Sequence, residues 1–275
     1  MFRPTGPFSL FCDGVAHAES LAERADGSIL ATCAIPTHVD PGPIVAITAD
    51  GLKTSVFCDV GRRFLGLAVL EGGDVLGCDA TNGAVVRLDQ AGTILGELCS
   101  VDGVAIQVPN GIAVDVAGGI WVVDSGTAKA GEATGSVLFM EPAGTARIAT
   151  HGLTYPNGIV VDDQRSVLYV AETRDDRVLR FNIRGPGKLD DPVVFASGLD
   201  GGPDGLSLDP DGSLYVALTR TSACACLDVG GKVEVLLESD LLRAPSYVHP
   251  QPEHGRLLVT SLLANTIHQI SGIFA

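Results

Sequence analysis

Over most of its length the chain sets short apolar runs in pairs, with a few turn-forming residues between the members of each pair. GLSLDPDGSLYVAL at 205–218, GIAVDVAGGIWVVD at 111–124 and GIVVDDQRSVLYVAE at 158–172 are the clearest examples. β-Branched and aromatic residues fill the runs, while Asp, Gly and Pro supply the turns, which is the chemistry of hairpins. A third run follows in several places, as in DRVLRFNI (176–183), GAVVRLDQ (83–90) and GSVLFMEP (135–142). No segment sustains a helical period. With 34 Gly and 15 Pro the chain is densely punctuated, and the pattern predicts an all-β fold.

The pattern also repeats. Ahead of the paired runs stands one short segment in six versions: HAESLA with Glu19, FLGLAV with Leu65, VPNGIA with Asn110, YPNGIV with Asn157, GPDGLS with Asp204 and APSYVH with Ser246. Asn110 to Asn157 and Asn157 to Asp204 are both 47 positions, and Glu19 to Asn110 is 91, about two periods. A period in the forties tiling a chain six times predicts a six-bladed β-propeller with four-stranded blades, here as a single domain over 1–275. The last repeat shows only three strands, APSYVHP, GRLLVTSL and NTIHQISGI. Its fourth is expected from the N-terminal run FSLFCD (8–13), which would join the chain ends and remove an open edge.

Equivalent positions of a propeller converge on its channel, so the residue at the repeated slot carries the chemistry. The plain alternative is that Asn-Gly and Asp-Gly are turn dipeptides bending the backbone where a blade begins, which would account for Gly111, Gly158 and Gly205. It does not account for Glu19, which has little turn preference. Two carboxylates, Glu19 and Asp204, and two amides, Asn110 and Asn157, meeting at a channel mouth would repel or stay unsatisfied without a cation. All-oxygen donors favour Ca²⁺, with Mg²⁺ or Mn²⁺ compatible; without His or Cys in the slots, Zn²⁺ is less expected.

Composition excludes several partners. With 33 acidic and 18 basic residues the formal charge is −15, which repels phosphate backbones and anionic membrane surfaces while attracting cations. MFRPTGPFSLFCDG lacks an apolar core of signal-peptide length, and no run approaches the ~18 apolar residues of a membrane span. A cytoplasmic, soluble protein is expected, with no nucleic-acid or membrane partner; the sequence sets no oligomeric state. The seven cysteines are odd in number and lie in strand-like runs, as small buried hydrophobes do. Cys224 and Cys226, two apart, fall on one strand face.

Glu, Asn, Asn and Asp on successive blades, with PNG, PDG and the DPDGSLYVA hairpin, resemble the senescence-marker-protein family, which includes regucalcin and the gluconolactonases. IHQISGI is similar to that family's closing strand, and a more distant likeness extends to diisopropyl fluorophosphatase and paraoxonase propellers. The resemblance implies one catalytic divalent metal held by Glu19, Asn157 and Asp204, with Asn110 a further ligand or a substrate contact, and hydrolysis of a lactone as the activity. Two positions depart from the family pattern. AES stands where the family commonly has EGP, and Val108 stands where sugar-lactone hydrolases often have an arginine.

Such a cation would polarise a lactone carbonyl and stabilise the oxyanion formed by water attack. Asp204 is the first candidate general base and Glu19 the alternative. No GxSxG motif or Cys–His arrangement points to covalent catalysis. Arg62 and Arg174 are the expected substrate contacts beside Asn110, from a wider set of His17, His38, Arg63, Asp124, Ser125, Glu172 and Arg220. Asp124 and Glu172, at strand ends, suit a supporting role. Without a basic residue at 108, a less polar lactone is expected over a polyhydroxylated one, because unpaired buried hydroxyls cost about 1–3 kcal/mol each. Two other readings use the same sequence: Lewis-acid chemistry on a phosphoester, a phosphofluoridate or an enolate, and a propeller that only binds a ligand.

Overall fold

The computed structural model describes residues 8–34, 42–127 and 131–274. Six antiparallel sheets of four main strands form the blades of a β-propeller. The first blade runs Ala18–Glu23, Ile29–Cys33, Ile44–Ile47, Thr54–Cys58, and the second Phe64–Val69, Val75–Asp79, Ala84–Leu88, Ile94–Leu98. The third is Pro109–Val114, Ile120–Asp124, Gly135–Met140, Ala146–Leu153, and the fourth Pro156–Asp162, Val167–Glu172, Arg177–Gly185, Val193–Ser197. The fifth is Pro203–Leu208, Leu214–Leu218, Ala223–Leu227, Val233–Glu238. From the first blade to the fifth, the first strand of each touches the first strand of the next. Helical structure is confined to two single turns, Asp240–Leu242 and Pro252–His254, and no helix among the described residues is long and apolar enough to cross a membrane.

The sixth blade closes the ring as expected. Val248–Gln251, Arg256–Ser261 and Thr266–Ser271 supply three strands, and Phe8–Asp13 pairs along Thr266–Ser271 as the outermost fourth. Phe11 and Cys12 are carried into the apolar layer between the sixth and first blades. Without this strand the sixth blade would end on an unpaired edge.

There is no single core; each gap between blades has its own. Trp121 and Val123 pack toward the fourth blade with Leu168 and Val170, whereas Val122, on the same strand, packs toward the second with Leu76 and Cys78. This is the two-residue alternation of a strand buried on both faces, and it explains why the middle strands read as continuous apolar runs. The cysteines follow suit: Cys224 and Cys226 join one layer between the fifth and sixth blades, and Cys99 alone is exposed.

The slot residues differ from the sequence reading in two respects. In five blades the slot is the second residue of the innermost strand, not a position ahead of it, and there the pairing with the next strand skips, as between Pro109 and Ile112 or Pro156 and Ile159. The bulge frees the slot residue and its successor from the ladder. The glycine that follows the slot is also not a turn glycine, since Gly111, Gly158 and Gly205 have no positive φ. A Cβ on Gly111, Gly158 or Gly205 would lie 2.2–2.4 Å from the carbonyl oxygen of the next slot residue, so the glycines are needed for close approach of backbones.

Gly158→Ala should therefore destabilise the protein by about 1–3 kcal/mol or more in urea unfolding. Gly96→Ala, on an outer strand with open space around it, should change stability by under about 0.5 kcal/mol or raise it slightly.

Candidate functional site

The bulges turn Glu19, Asn110, Asn157 and Asp204 into one cavity, lined also by Ser246 and by the backbone of Gly111, Gly158 and Gly205. Its volume is about 30 Å³, room for an ion and very little more. Asn110, Asn157 and Asp204 are buried and Glu19 is half-buried. The other two slots do not add donors. Leu65 packs into the apolar layer between the second and third blades, and Ser246 Oγ donates to the Glu19 carbonyl at 2.6 Å.

The slot segments are held by three hydroxyls, of which the sequence reading names Ser125 but not Thr173 or Thr219. Ser125 Oγ donates to Pro156 O at 2.7 Å, Thr173 Oγ1 to Pro203 O at 2.7 Å and Thr219 Oγ1 to Pro245 O at 2.8 Å. Each hydroxyl follows its own slot by 15 or 16 positions and grips the segment of the next blade just ahead of that blade's slot. That fixed offset is the signal that would have found them. Ser125 Oγ also receives Asn110 Nδ2 at 3.2 Å, which leaves the amide oxygen as Asn110's donor. Thr219 lies 2.9 Å from Asp204 Oδ2, so its single hydrogen faces both that oxygen and Pro245 O.

The strand-end acids support the same segments. Asp124 accepts from Gln107 N at 2.9 Å and Val108 N at 2.8 Å, fixing the approach to Asn110. Glu172 accepts from Thr154 N at 2.6 Å and from Arg177 Nε at 2.5 Å, fixing the approach to Asn157. Both act on backbone, at one remove from the cavity.

The electrostatics of the cavity are those of a paired acid. Burial pushes the Glu19 carboxyl up to about 7, with the Arg63 charge opposing. Burial and then the Glu19 charge push Asp204 well above the ordinary carboxylate range, against the Thr219 hydrogen bond. Two carboxylates and two amide oxygens form a hard, doubly negative donor set that a divalent cation fits. The set is not a carboxylate–imidazole cluster: among the described residues no three His, Cys, Asp or Glu converge.

The expected substrate contacts separate. Arg62 is held by Asp79 at 3.2 Å and Glu97 at 2.7 Å and does not line the cavity. Arg220 pairs with Asp176 on the exposed surface. Arg174 stacks on Tyr155, its guanidinium carbon 4.4 Å from the ring centroid. Burial raises the Tyr155 phenol, as do the charges of Asp204 and Glu19, with Arg174 and Arg63 opposing. His38 lies outside the described residues. Tyr155, absent from the sequence candidates, stands two positions before its slot. So do His17, Arg63, Gly202 and Ala244, and His17, Tyr155, Gly202 and Ala244 all have left-handed backbone, φ 47° to 66°.

Comparison with known proteins gives this geometry a family. The chain is 26% identical over 185 residues to the diisopropyl-fluorophosphatase of Loligo vulgaris, and 29% identical over 161 residues to a strictosidine synthase-like protein of Arabidopsis thaliana. These alignments span 60% and 54% of the chain, and 58% and 39% of the relatives' own lengths. Among solved structures, a gluconolactonase from Xanthomonas campestris superposes with a TM-score of 0.84 at 22% identity, covering 98% of this chain and 90% of the other. A calcium-binding regucalcin from Agrobacterium tumefaciens superposes at 0.76 and 16% identity, covering 96% and 93%. At these identities the superpositions speak for the fold. The profile of the SMP-30/gluconolactonase/LRE-like region matches residues 40–262, and the chain belongs to that family.

Proposed function

We propose that the protein is a divalent-metal-dependent hydrolase that opens a lactone or a similar ester. The observation that carries this reading is the convergence of Glu19, Asn110, Asn157 and Asp204 from four blades on one small cavity. Glu19, Asn157 and Asp204 would hold the cation, Ca²⁺ in preference to Mg²⁺, Mn²⁺ or Zn²⁺, with Asn110 completing the shell or meeting the substrate. When bound, the cation polarises the substrate carbonyl and offsets negative charge developing on its oxygen.

The remaining work falls to the chain. Asp204 Oδ2 faces the Thr219 hydroxyl, which leaves Oδ1 to take a proton from the attacking water. Glu19 is the alternative base, its backbone pinned through its carbonyl to Ser246. Asn110 presents its amide oxygen at a fixed angle because Ser125 holds the amide nitrogen. A second reading, hydrolysis of a phosphofluoridate or phosphoester at the same residues, is favoured by the likeness to the Loligo vulgaris enzyme. Assays of lactones, aryl esters and organophosphates on chelated protein, with Ca²⁺, Mn²⁺ or Zn²⁺ restored singly, separate the two.

Calcium titration should find about one site per chain. A ligand binding only the native state stabilises it by about 2.7 kcal/mol at a hundred times its Kd, so chelation should lower Tm. The raised carboxyls set the sign of the pH dependence. Native groups with raised pKa hold protons that the unfolded chain has lost, so metal-free stability falls from the ordinary carboxylate pKa up to about 7 for Glu19. Added Ca²⁺ relieves that penalty and competes with protons, so its Tm gain should be larger at pH 8 than at pH 5. Equal gains at both values, or no bound cation, would count against the site.

Asp204→Ala and Glu19→Ala should each lower kcat at least ~100-fold while circular dichroism stays that of the folded protein. If Asn110 serves mainly the substrate, Asn110→Ala should raise KM and spare calcium affinity, whereas Asn157→Ala should weaken calcium binding. Equal loss of calcium in both would refute that division.

A further inference from the structure

The second blade is the gap in the ring of donors. Its slot is Leu65, turned into the apolar layer, yet two positions earlier, in the register of Tyr155, it carries Arg63. Arg63 is near enough to Glu19, a carboxyl that lines the cavity, for its charge to act on it, and it acts on Tyr155 as well. Its Nε is buried and has no hydrogen-bond partner. His17, in the same register on the neighbouring first blade, likewise has a buried Nδ1 without a partner. Buried polar atoms left unpaired cost folding free energy, and where they gather at a cavity mouth a ligand is a ready partner for them.

Charge balance says what kind of ligand. Glu19 and Asp204 are the only carboxylates lining the cavity among the described residues, and together they balance one divalent cation. The Arg63 charge is then left over in a half-buried place. We propose that Arg63 forms an anion-binding subsite at the mouth and that the substrate is an anionic lactone or ester, one bearing an ionised carboxylate beside the scissile group. This rests on the reading of a cation held by the slot residues. A guanidinium binds a carboxylate through two parallel N–H donors, which fixes orientation as well as charge. In a chain of formal charge −15 an anion is repelled by most of the surface, so a local surplus of positive charge is what admits it. Arg63 also restores from the second blade the donor that Val108 lacks on the third, and so replaces the expectation of an apolar substrate.

The test uses gluconate and sorbitol, two polyols that differ in one carboxylate, as calorimetric probes of protein already titrated with calcium. Wild type should bind gluconate at least tenfold more tightly than sorbitol, a preference that Arg63→Gln abolishes and Arg63→Lys partly keeps. Calcium affinity of Arg63→Gln should be unchanged or tighter, because a like charge has been removed. No preference in wild type, or a preference surviving in Arg63→Gln, overturns the subsite. Loss of calcium in Arg63→Gln overturns it too, since Arg63 would then act through Glu19. The calcium titration precedes the probes, so absence of a cation in wild type is seen separately; it removes the hydrolase reading and, with it, the charge balance on which the subsite depends.

Discussion

The approach of one innermost strand to the next governs this structure. At four of the five bulges the residue after the slot sits so near the next blade's slot carbonyl that a Cβ on Gly66, Gly111, Gly158 or Gly205 would fall within 2.4 Å of that oxygen. Only glycine allows the strands to close to this distance. The channel is consequently narrow, and its residual space is the size of an ion. A wider ring built from the same slots would leave the carboxylates and amides too far apart to share one guest.

Around that constraint the hydrogen bonds divide the labour. Ser125, Thr173 and Thr219 tie the third, fourth and fifth blades each to the next at the slots, while Asp124 and Glu172 clamp the backbone leading into the slots of the third and fourth. The acids and hydroxyls that surround the centre are thus mostly spent on geometry. Among the described residues, what remains uncompensated is the pair of slot carboxyls together with Arg63 Nε, His17 Nδ1 and, on the third strand of the fourth blade, Arg180 Nε.

The six-blade architecture, the closing strand 8–13 and the meeting of Glu19, Asn110, Asn157 and Asp204 were legible because a period near 47 survives in the sequence. The role of the PNG glycines was not: Asn-Gly carries the same letters in a tight turn and in a crowded strand, and only the neighbouring backbone distinguishes them. Arg62 and Arg63 are adjacent in sequence and opposite in fate, one paired with Asp79 and Glu97 and the other acting by its charge on Glu19. Strand alternation separates such neighbours, but which of the two faces the axis depends on a register that the bulge resets. Tyr155 was missed because its neighbours Pro156 and Asn157 drew attention to the slot itself.

The carbonyl of Glu19 accepts a hydrogen bond from Ser246, 227 positions away, and lies 3.4 Å from Thr260 Oγ1, 241 positions away. A contact of such sequence separation forms only after the whole ring has been laid down, and it makes folding slow relative to that of locally wired proteins. The first residue of the proposed metal shell is therefore set by the last part of the chain to be made. A nascent or truncated propeller carries three donors and no fixed fourth, so capture of the ion would report that the circle has shut.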